Sequence, residues 1–149
     1  MEPTILGSRR SYEFPADEIR LTLLSNAGVV DHIRTLFNCA FGQIGSPAPT
    51  FGVVQPTMPP GLVFDYGLIP YPEETGTALR FLHIESHRIV IDTGGPSESI
   101  QPAYDLLTQS LRALKAADGA PAIGQPDTIY DFSEIRWRSP GHSLLNLIA

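Results

Sequence analysis

Proline and glycine divide this chain into short lengths, and that constrains its fold more than any other feature. The 149 residues include 14 prolines and 13 glycines, densest at 42–61, 70–76 and 119–126. Each proline fixes φ and removes a backbone donor, so 42–61, with Pro47, Pro49, Pro56, Pro59 and Pro60, is neither a continuous helix nor a central strand. The second stretch reads as a turn region, and the third as the link between a helix and the last strand.

Between these breaks the apolar spacing alternates between two periods. Ile19, Leu21 and Leu23 alternate with polar residues, which predicts a strand over 18–23. Ser25 or Asn26 then caps a helix in which Val29 or Val30, Ile33, Leu36, Phe37 and Ala40 recur at helical spacing, with Gly42 as its C′ residue. Alternation returns over 62–68, and β-rich runs follow at 79–84 and 88–92 with Glu85-Ser86-His87 as a hairpin turn between them. Ser97 or Ser99 caps a second helix striped by Ile100, Tyr104, Leu107, Leu111 and Leu114, which Asp118-Gly119 ends. Thr128–Arg138 is rich in β-formers, with Tyr130 and Phe132 on one face and Ile129, Ile135 and Trp137 on the other. The predicted order is β-α-β-β-β-α-β. Two amphipathic helices are best satisfied by covering one face of a mostly antiparallel sheet, so the expectation is a single α+β domain over 1–149 on a ferredoxin-like plan.

Composition narrows the function classes. With 42% apolar and 17% charged residues the chain has enough packing material to fold, and its length suits one domain. No apolar run approaches the roughly 20 residues that span a bilayer, and no apolar stretch follows Arg9-Arg10 as in a signal peptide. A soluble cytoplasmic protein with no membrane partner is therefore expected. The lone Cys39 fits a reducing compartment and reads as a small core residue within the first helix. Ten basic against sixteen acidic side chains, net −6, argue against a nucleic-acid partner. Arg136-Trp137-Arg138 accordingly reads as a charged edge strand rather than a base-stacking platform.

Three groups of residues are candidates for chemistry. Ile89-Val90-Ile91-Asp92-Thr93-Gly94-Gly95 resembles the apolar run and Asp-Thr-Gly of pepsin-like and retroviral-type proteases. That resemblance implies a catalytic Asp92 sharing a proton with a second aspartate, here from another subunit. A helix follows the motif almost at once where those enzymes continue in β structure, which favours Asp92 as a turn former. Gly94 and Gly95 precede a helix N-terminus and present N–H groups to an anion, although no phosphate-loop pattern accompanies them and acidic residues lie close. His83, Glu85 and His87 would share a face as three metal ligands in a straight strand, and a hairpin turn at Glu85-Ser86 would separate them. His32 and His142 are isolated, and no Gly-x-Ser-x-Gly elbow is present.

The segment from Ser143 to Ala149 carries Leu144, Leu145, Leu147 and Ile148. Four large aliphatics need cover, and a second copy of the chain is the commonest partner. The leading expectation is a non-enzymatic binding or protein-interaction domain without cofactor, homo-oligomeric, working through its open sheet face or the 42–61 segment. The alternative is an acid-base or metal-assisted hydrolase centred on Asp92 with His83, Glu85 and His87. Convergence of those side chains on one pocket is what separates the two.

Overall fold

The computed structural model describes residues 2–45 and 61–138. Strand β1 (Glu2–Glu13) leads to α1 (Leu21–Leu24), α2 (Ala27–Leu36), β2 (Phe41–Ile44), β3 (Leu62–Ile69), β4 (Thr77–Ile84) and β5 (Arg88–Thr93). A 3₁₀ turn (Ser97–Ser99) then opens α3 (Ile100–Ser110), and β6 (Thr128–Arg138) follows. All six strands form one sheet in the order β2-β3-β4-β5-β1-β6, with every pairing antiparallel. The mixed α+β class and the antiparallel sheet agree with the sequence reading. The ferredoxin-like plan does not describe this sheet, because β1 inserts between β5 and β6 and β2 adds a further edge.

Two local expectations are corrected by packing. Residues 18–23 are not a strand: Ile19 makes a single bridge to Ile123, and the chain then coils so that Leu21 and Leu24 are both buried. Residues three apart share a helical face, and Leu21 with Leu24 satisfies the core that way. Helix α2 begins where expected, with Asn26 accepting from the Val29 N–H at 3.0 Å. It ends earlier than Gly42, with Asn38 at φ 48° as the left-handed terminator and the Cys39 N–H returning to the Arg34 carbonyl. Gly42 instead lies in β2, where a Cβ would come within 2.8 Å of the Phe64 ring. Neither Ser97 nor Ser99 makes a side-chain cap. Asp118 and Gly119 form a separate turn beyond α3, with Asp118 Oδ1 accepting from Ala120 N and Gly119 at φ 87°.

Alternation along the strands sends Tyr12, Leu62, Phe64, Leu82, Ile84, Ile89 and Ile91 into one core with Ile33 of α2 and Ile100, Ala103, Tyr104 and Leu107 of α3. Tyr12 stacks on Tyr104 with ring centres 3.9 Å apart. Cys39 is a buried core residue as expected, placed just beyond α2 rather than within it. Among the described residues no helix is long and apolar enough to cross a membrane.

The core makes stability sensitive to alkali. Burial, reinforced by Asp65, pushes the Cys39 thiol from 9.0 up to about 11, and burial pushes the Tyr104 phenol from 10.0 up to about 12. As pH rises past 9 the unfolded chain releases these protons first while the folded chain keeps them. Stability is thus full below the unfolded values and declines up to the folded ones, by about 3 kcal/mol at most for each group. The melting temperature should fall from pH 9 towards pH 12, and the fall should be shallower in Cys39→Ala and Tyr104→Phe. A flat profile in the unmodified protein would contradict this.

Candidate functional site on the helix-free face of the sheet

Residues that alternate with the core positions face away from the helices. Cross-strand partners point to the same side, so the register lines up Val63, His83, Val90, Ser11 and Tyr130 across β3, β4, β5, β1 and β6. The next row is Asp65, Phe81, Asp92, Arg9 and Phe132. Among the described residues no helix covers these rows, and the second gathers most of their charge.

Asp92 is the centre of this face. It is not a turn residue: it lies inside β5 and is only 2% exposed. Its Oδ2 accepts from Arg9 Nε at 2.8 Å, and its Oδ1 accepts from Arg80 Nε. Arg80 reaches it because the register of β4 against β5 slips between Leu79 and Phe81, and such a bulge re-aims the side chain. Gly7 makes room for that guanidinium, since a Cβ there would collide with it. Arg9 also lies over the Phe81 ring at 5.1 Å, Phe81 stacks on His83 at 4.3 Å, and Arg80 Nη1 lies 3.4 Å from Glu134 Oε2. Around this cluster is a depression of about 130 Å³, with Phe132 and Ser133 on its β6 side.

The sequence candidates do not converge on one pocket. With both oxygens held by guanidinium groups, Asp92 is an acceptor that positions two arginines rather than an acid poised beside water. His83 is half-buried on the open face, and burial lowers its imidazole pKa. Glu85, Ser86 and His87 form the turn between β4 and β5. Glu85 lies 3.4 Å from Arg88 Nε, and His87 touches Ser86 Oγ and Arg88 Nη2, each at 3.2 Å. Among the described residues no three His, Cys, Asp or Glu side chains are grouped to hold a metal ion. The N–H groups of Gly94 and Gly95 are directed inward, to the Ala78 carbonyl at 2.9 Å and to Thr93 Oγ1 at 3.5 Å. A larger cavity of about 720 Å³ lies elsewhere, between 16–23, 116–117 and the β4–β5 turn, and of the candidates it meets only His87.

Arg9 and Arg80 escaped the sequence reading because nothing local ties them to Asp92, which is 83 and 12 residues away. At the sheet edge, among the described residues, β6 pairs with β1 alone, and its Ile129, Tyr130, Phe132 and Ile135 are between 48% and 58% exposed. The aliphatic segment with Leu144, Leu145, Leu147 and Ile148, and residues 46–60 of the proline-rich stretch, lie outside the described residues. Comparison of the chain with models of protein families, with curated proteins and with solved structures found no match.

Proposed function

We propose that this domain is a protein-interaction module that binds a second copy of itself along β6. The observation that carries this reading is the combination of an eleven-residue edge strand with four large, half-exposed apolar side chains. A long apolar edge offers free backbone donors and acceptors to another strand, and proteins that do not use such an edge shorten it, charge it or cover it. The opposite edge, β2, is only four residues long.

The strand is also self-complementary. In an antiparallel pair about a twofold axis normal to the sheet, centred on Phe132, that ring meets its own copy. Ile129 then opposes Ile135, Tyr130 opposes Glu134, Asp131 opposes Ser133 and Thr128 opposes Arg136. No like charges face each other. Asp131 and Glu134 balance Arg136 and Arg138, so the edge is neutral within a chain of net charge −6. Leu144, Leu145, Leu147 and Ile148 follow β6 in the chain after five residues and are proposed to add apolar contact to the same assembly.

Light scattering at micromolar concentration should give twice the chain mass of 16.2 kDa. Phe132→Asp, which sets two carboxylates against each other at the axis, should give the single-chain mass with an unchanged circular dichroism spectrum. Deleting residues 143–149 should leave the dimer in place, weakened; complete dissociation on that deletion would move the interface from β6 to the tail. A single-chain mass for the unmodified protein throughout this range would overturn the proposal.

A further inference from the structure

We infer that Arg9 and Arg80 form a receptor for one oxyanion, the carboxylate or phosphate head of a small molecule whose apolar part lies against Phe132. The case starts from donor counting. A guanidinium has five N–H donors in a fixed plane, and Asp92 takes the Nε–H of each arginine. That contact orients both planes and leaves their Nη edges for other partners. Exposure then separates the charges: Asp92 is 2% exposed, whereas Arg9 is 50% and Arg80 40% exposed. The negative charge lies beneath and the positive edges face the solvent. Two arginines on one buried carboxylate leave a second positive charge to be balanced from the solvent side, where the exposed Glu134 now stands.

Glu134 identifies the chemistry this seat accepts. Its Oε2 stands 3.4 Å from Arg80 Nη1, beyond a good charge-assisted hydrogen bond, and its side chain is 59% exposed. A tethered carboxylate therefore approaches the seat without filling it, and a ligand with better geometry displaces it. The depression of about 130 Å³ has room for an oxyanion head and little else, so the remainder of the ligand lies outside it, along the exposed ring of Phe132. The inference does not rest on self-association, although Phe132 and Glu134 belong to both surfaces.

The test is calorimetric titration and thermal shift of the full chain with benzoate and, separately, inorganic phosphate, each against chloride at equal ionic strength, with the mass followed by light scattering. Binding of at least one anion, with a higher melting temperature at unchanged mass, is expected. Benzoate alone would identify organic acids as the ligand class, and phosphate alone would identify phosphate esters. Arg80→Lys keeps the charge but loses the planar fork, and should weaken binding about tenfold. Glu134→Gln removes the internal competitor and should tighten binding several-fold; a merely structural Arg80–Glu134 pair predicts no gain. This variant changes an exposed side chain and preserves the fold, so it remains informative if substitutions at Arg80 unfold the domain. The inference is overturned if neither anion acts beyond chloride, or if both act equally on the unmodified protein, Arg80→Lys and Glu134→Gln.

Discussion

Replacing Asp92 with alanine should destabilise the domain by about 2–4 kcal/mol, because it removes the buried acceptor of two charged donors and leaves two guanidinium groups facing each other. The upper figure approaches that for breaking a fully buried ion pair. The lower allows for Arg9 and Arg80 being partly exposed and so able to turn towards water. Asp92→Asn keeps the shape and one acceptor oxygen, and should cost less. Arg80→Ala should also cost less than Asp92→Ala, since Arg9 still compensates the carboxylate. Urea unfolding of the three variants checks the ranking. If Asp92→Ala stays within about 0.5 kcal/mol of the unmodified protein, as ordinary surface substitutions do, Asp92 does not organise this face.

Phe64→Ala should cost about 3–5 kcal/mol, because the ring is fully buried in β3 and its removal leaves a cavity the sheet cannot close. Against a total of roughly 5–15 kcal/mol for a domain, that is a large fraction. The same ring explains Gly42. A Cβ at position 42 would lie 2.8 Å from Phe64 Cδ1, so Gly42→Ala should cost about 1–3 kcal/mol through overpacking. Most of that loss should vanish when Gly42→Ala is placed in a Phe64→Leu background. Neighbours that share space are non-additive, and a double-mutant cycle measures the coupling. Additive losses would show that the ring yields freely and that β2 does not depend on a glycine there.

What the sequence alone determined was the part of the fold written in short-range periods. A cap at Ser25 or Asn26 ahead of α2, the strands of residues 62–68 and 128–138, the turn at Glu85-Ser86-His87, and the stripe of Ile100, Tyr104 and Leu107 were all legible locally, because a helix or strand repeats its own environment every few residues. β1 was not legible in this way. Ser8, Arg10 and Tyr12 share its helix side, a mixed set without a clean apolar alternation, and the strand is held by neighbours on both sides, β5 and β6. Leu21 and Leu24 satisfied the core as a helical turn, although Ile19, Leu21 and Leu23 alternate equally well as a strand, so only the surrounding packing distinguished the two. The same holds for the site. Asp92 was visible as a residue, but its partners depend on where β1 inserts and on the slip beside Arg80, which turns that side chain onto the open face. Strand order and bulges are settled by which arrangement buries the most apolar surface while pairing every backbone group, a property of the whole sheet that no local stretch of sequence encodes.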